Sequence, residues 1–140
     1  MKRKIKEIIL HCSATPEGKD FTVEQIRKWH KEGNGWSDIG YHFVIYRDGT
    51  VHIGRPLSQP GAHTKGHNLY SVGVCYIGGL DIAGKYPKDT RTPEQKEALV
   101  ALLKRLKSAY PNAKIFGHND FAAKACPSFK ISSDPALCAL

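Results

Sequence analysis

The spacing of apolar residues along this chain switches repeatedly between a period of two and a period near 3.6. Over Lys4 to His11, KIKEIILH, alternation gives way to a continuous apolar run, Ile8-Ile9-Leu10, the pattern of a strand central in a sheet. Val23, Ile26 and Trp29 then recur at helical spacing. Thr22 with Gln25 three residues later is a capping box, and Gly33 and Gly35 predict the stop. The period returns to two in YHFVIYRDGTVHIGR, where Asp48-Gly49 predicts a hairpin turn. SVGVCYIGG, Ser71 to Gly79, reads as a short apolar strand ended by a glycine pair. A longer helix is predicted from Thr92-Pro93-Glu94-Gln95, a second capping box with proline at the first helical position. Leu99, Val100, Leu102, Leu103 and Leu106 form its buried face, and Pro111 ends it. KIFGH, Lys114 to His118, is the last strand. The order predicts an α/β fold: one domain, residues 1–140, with a central mixed β-sheet flanked by helices.

Composition narrows this picture only slightly. A chain of 140 residues can bury about two-thirds of its unfolded surface without staples. No stretch approaches the roughly 18 apolar residues of a membrane helix, so membrane insertion is not expected. The start, MKRKIKEIILHC, has too short an apolar run for a signal peptide, and the expectation is synthesis in the cytoplasm. A net charge of +8 favours an acidic partner, whether nucleic acid, anionic lipid or wall polymer; a basic solubilising surface explains it equally well. The basic residues are scattered, without aromatic and basic residues alternating on strands, which leaves nucleic acid the weakest of these. Cys12, Cys75, Cys126 and Cys138 show no CxxC pairing and are expected reduced, most of them small buried hydrophobes. Nothing in the sequence demands more than a monomer.

The histidines change the picture more. His11 closes the first predicted strand and His118 the last, with Cys126 on the loop GHNDFAAKACPSF that follows. Ligand sites in open α/β sheets collect outside the carboxyl ends of strands. Two imidazoles and a thiolate meeting there would leave one corner of a zinc tetrahedron open, the catalytic pattern. The competing reading is that each side chain is separately packed or solvated, and spacing alone leaves both open.

Six segments carry a resemblance: ILHCSAT (9–15), IRKWHKEGNGW (26–36), IGYHFVIYRDGT (39–50), GAHTKGHN (61–68), SVGVCYIGG (71–79) and HNDFAAKACPSF (118–129). In this order they resemble the zinc N-acetylmuramoyl-L-alanine amidases of the phage endolysin and peptidoglycan recognition protein type, most of all the small phage members. The resemblance implies hydrolysis of the amide between N-acetylmuramic acid and L-alanine in peptidoglycan. It implies one Zn2+ held by His11, His118 and Cys126, catalytic roles for Tyr41 and Lys124, and substrate contact from His63. A lysine ammonium and a tyrosine hydroxyl suit the oxyanion that attack on an amide creates. Some bacterial relatives carry a glutamate where this chain has Cys75, so proton handling is expected to fall to the bound water and Tyr41. The implied role is a phage or prophage lysin reaching the wall after release. The alternatives are a peptidoglycan-binding protein without catalysis, whose members typically lack the cysteine ligand, and a cytoplasmic amidase recycling muropeptides. His42, next to Tyr41 on a strand, is expected to be structural, as are His30, Cys12 and Cys75.

Overall fold

In the computed structural model, which describes residues 3–140, the continuous apolar run becomes strand β1 (Glu7–Cys12). There follow β2 (Thr15–Pro16), α1 (Val23–Asn34), β3 (Phe43–Ile45), β4 (Val51–Ile53), β5 (Ser71–Tyr76), β6 (Gly79–Leu80), α2 (Pro93–Ala109), β7 (Lys114–Gly117) and α3 (Pro135–Cys138). Five strands form one sheet in the order β4-β3-β5-β1-β7. All its pairs are parallel except the edge hairpin β3–β4, so the sheet is mixed and β1 lies between two parallel neighbours. β2 and β6 make a separate two-stranded sheet. That pair and α3 fall outside the sequence pattern, because elements this short never complete a hydrophobic period.

Both capping boxes form, with Thr22 and Thr92 as N-caps, and α1 stops at Gly35 in the left-handed conformation (φ 69°). Alternation along the strands then divides the core. Ile8, Leu10 and Cys12 of β1 and Val72, Val74 and Tyr76 of β5 pack with Leu99, Leu102, Leu103 and Leu106 of α2. Val44 and Cys75 point the other way, towards Ile39 and towards Val23 and Ile26 of α1. His11 lies between Leu10 and Cys12 in sequence, so its side chain emerges on the α1 side.

On α2 the structure revises the predicted face. Val100 is only partly covered, and Gln95 is fully buried instead. Its side-chain amide donates to Ile45 O (3.3 Å) and Ile77 O (3.0 Å), while its Oε1 accepts from the Thr92 amide (2.9 Å). A polar residue is tolerated there because every polar atom it buries is paired. Among the described residues, no helix is long and apolar enough to cross a membrane.

Candidate active site

Strand register brings the first two site residues together. Leu10 pairs with Gly117 and His11 with Cys75, so His118 leaves β7 level with His11. Neighbouring strands lie about 4.8 Å apart; the two imidazole centroids are 4.7 Å apart. The loop after His118 then doubles back. Cys126 Sγ comes to 3.7 Å from His11 Nδ1, and the Cys12 amide donates to it at 3.3 Å. Potential ligand atoms of His11, His118 and Cys126 all lie within 4.8 Å of one another, so the three can hold a metal ion.

Several contacts hold that loop. The Tyr76 hydroxyl donates to Pro127 O (2.7 Å), the Ser128 hydroxyl to Gly79 O (2.8 Å), and the Asn119 side-chain Nδ2 to Phe129 O (3.0 Å). The Arg91 guanidinium lies 3.6 Å over the Phe129 ring and pairs with Asp89 and Asp134. The loop that carries the sulfur is thus held by β5, by β6, by the segment just before α2 and by the C-terminal segment.

Electrostatics suit a metal. Burial, followed by the nearby His63, His118 and Lys124, holds His11 well below the usual imidazole range. Burial and then Lys124 lower His118. Both rings are therefore neutral at pH 7, the form that ligates. A hydrogen bond with Cys12, then burial, pushes the Cys126 thiol up. It stays a thiol until an ion displaces its proton.

A cleft of about 660 Å³ opens beside this cluster, walled by Trp36, His63, Thr64, His118, Phe121 and Lys124. Lys124 is exposed at its rim. Tyr41 is half-buried behind His11, ring centroids 5.2 Å apart. Burial, then the thiols of Cys75, Cys126 and Cys12, raises its hydroxyl well above the ordinary tyrosine range. The phenol can donate a hydrogen bond; as a phenolate base it is unavailable at neutral pH. His63 is 9% exposed, with Nδ1 2.8 Å from His11 Nε2 and Nε2 3.1 Å from Ser71 Oγ.

The remaining side chains sort by their contacts. Cys75 is fully buried beside Tyr41, and burial lifts its thiol, so it is a core residue. His42 accepts from the Gly73 amide (3.0 Å) and bonds Gln59 O (2.8 Å), outside the cluster. His30 accepts from the Gly40 amide (2.9 Å) and packs edge-on against Trp36 and Tyr41. Trp36 and Phe121 escaped sequence reasoning because an aromatic lining a cleft looks locally like one in a core. Asn68 did leave a signal in GAHTKGHN. Its Oδ1 accepts from the amides of His63 and Thr64 (2.9 Å each), the local bonding for which asparagine is favoured in loops.

Comparison with known proteins adds an independent line. Residues 1–129 match the family described as N-acetylmuramoyl-L-alanine amidase. An endolysin of Enterobacteria phage K11 is 48% identical over 130 residues, covering 93% of this chain and 85% of that protein. An endolysin of Escherichia phage T7 is 48% identical over 124 residues, 89% of this chain and 81% of that one. Among solved structures, the N-acetylmuramoyl-L-alanine amidase LysC from Clostridium intestinale URNW superposes with a TM-score of 0.76 at 32% identity. That match covers 89% of this chain and 77% of LysC.

Proposed function

The chain belongs to the N-acetylmuramoyl-L-alanine amidase family, and from that premise we propose that it is a zinc-dependent endolysin of one domain, residues 1–140. Its reaction is hydrolysis of the amide joining N-acetylmuramic acid to L-alanine in peptidoglycan. The zinc ligands are His11, His118 and Cys126, and Tyr41 and Lys124 act on the scissile amide.

One observation carries this reading: two neutral imidazoles and a sulfur converge beside a cleft open to solvent. The donor set fits zinc. Bonds of about 2.0–2.1 Å to nitrogen and 2.3 Å to sulfur put tetrahedral N and S ligands roughly 3.6 Å apart, against 3.7 Å between His11 Nδ1 and Cys126 Sγ. When bound, zinc supplies Lewis acidity and acidifies a water ligand towards a pKa of about 7. Lys124 brings positive charge from the rim to the carbonyl oxygen as it becomes an oxyanion. Tyr41, protonated, adds a donor from the far side of His11. The Cys12 amide steadies the thiolate of Cys126. A binding protein without catalysis would have no use for that sulfur, and here it is in place.

The substrate form is the intact wall, as the endolysin relatives suggest, and the enzyme works as a monomer. Mass spectrometry of digested peptidoglycan tests the bond: free stem peptides with uncut glycan strands are expected, and shortened glycan strands would overturn the reading. Purified protein should carry about one zinc per chain and lose wall clearing on chelation, regaining it with zinc. Clearing undiminished after complete metal removal would eliminate zinc from the reaction.

A further inference from the structure

We infer that His63 is a positioning residue for the metal site: its ring accepts the Nε2 proton of His11 and so turns Nδ1 of His11 towards the metal. This rests on the zinc reading above and deepens it. His11 Nδ1 faces Cys126 Sγ at 3.7 Å, which makes Nδ1 the ligating nitrogen. In a neutral ring the proton then sits on Nε2, and His63 Nδ1 is 2.8 Å away to receive it. His63 must in turn carry its own proton on Nε2, where Ser71 Oγ stands at 3.1 Å. The Thr64 hydroxyl is within reach of both inner nitrogens, 3.3 Å from His11 Nε2 and 3.1 Å from His63 Nδ1. With His11 Nδ1 given to the metal, one proton arrangement pairs the remaining ring nitrogens of this buried chain: His11 Nε2–H to His63 Nδ1 and His63 Nε2–H to Ser71 Oγ.

The backbone is shaped around the same ring. A Cβ on Gly73 of β5 would lie 2.7 Å from His63 Cδ2 and 2.8 Å from Cγ; one on Gly61 would lie 2.6 Å from Cδ2. Two glycines thus clear the space in which the imidazole lies against the sheet. A residue that served only to touch substrate would not need its ring walled in on the side away from the cleft. Metal-bound histidines commonly donate their second N–H to a fixed acceptor, and losing it weakens metal binding or activity by about 10–100-fold.

The test is zinc affinity, measured by competition with a chromophoric chelator on the full chain, together with kcat and KM on a soluble muramoyl peptide. His63→Ala should bind zinc roughly 10–100-fold more weakly than wild type. His63→Asn, whose Oδ1 stands near the position of Nδ1, should recover most of that loss. Gly73→Ala should weaken zinc with His63 still present, by displacing its ring. If wild type binds zinc and His63→Ala binds it as tightly while KM rises, His63 is a substrate contact and the inference fails. An Asn variant no better than Ala would equally reject the hydrogen bond as the cause. A wild-type protein that takes up no zinc overturns the metal reading itself, which separates the two failures.

Discussion

Cys126 is half-buried, with the His11 imidazole 3.7 Å and the Cys12 amide 3.3 Å from its sulfur. A serine there keeps the size but lacks a thiolate, so Cys126→Ser is expected to lower wall clearing by roughly 10²-fold or more and to strip zinc during dialysis. Elemental analysis beside a clearing assay reads both. Cys138 offers the contrast: it is exposed, and its thiol donates to Ile131 O at 3.2 Å, away from the cluster. Cys138→Ser should leave zinc content and rate unchanged. Lys124 is exposed at the rim of the cleft, and the role proposed for it is to bring positive charge there. Lys124→Ala should keep one zinc but lose about 10²–10³ in kcat, the usual effect of removing an oxyanion donor; single-turnover kinetics on a muramoyl peptide measure it. An unchanged kcat would take Lys124 out of the mechanism. At this scale LHCSAT, GHND and KACPSF offered His11, His118 and Cys126 as candidates, while spacing alone left open whether they meet. The buried partners of those residues were not legible, because a histidine's hydrogen bonds are made with whatever the fold puts beside it.

Helix α2 shows how much an element adds. Its N-terminal box, Thr92 and Gln95, reads directly from sequence, because the bonds that make it span three residues. What sequence did not show is that Gln95 also ties the carbonyl of Ile45, the last residue of β3, to that of Ile77, just past β5. Gln95→Ala would remove half the capping box and leave two buried carbonyls without that partner. A loss of about 1–3 kcal/mol is expected, visible as a lower urea midpoint, with zinc affinity unchanged. A midpoint equal to wild type would mean water replaces the amide at no loss. The strands were legible to within a few residues, as were the hairpin turn at Asp48-Gly49 and the stop at Gly35. β2, β6 and α3 were not, since their formation depends on neighbours already in place.

For the whole molecule, buried histidines, His11, His42 and His63, tie stability to pH. Burial, the largest cause in each case, holds His42 at about 4 and His63 at about 3. Unfolded histidine titrates near 6.5, so between these values the unfolded chain binds more protons than the folded one. Stability is full above about pH 6.5 and falls as pH drops towards the folded values. The urea midpoint of the metal-free protein should be flat above pH 7 and decline steadily from 6.5 to 4.5; a constant midpoint would show the rings already solvated. The net charge of +8 acts over longer range. Clearing of anionic walls should weaken as salt rises from 0.05 to about 0.5 M, while turnover of a small soluble substrate changes little. Read alone, the residue order determined the alternating α/β elements and their caps, because periodicity and capping act over a handful of neighbouring positions; His11, His118 and Cys126 stood out only as candidates, their joint role implied by the family resemblance. Only the tertiary structure decided that β1 lies between β5 and β7, that His118 therefore stands level with His11, and that Cys126 returns across them. It alone put the His63 ring in the space over Gly73. Those contacts join residues far apart in the chain, and which partners meet is chosen by burying whole sheet faces at once, a choice no local stretch of sequence contains.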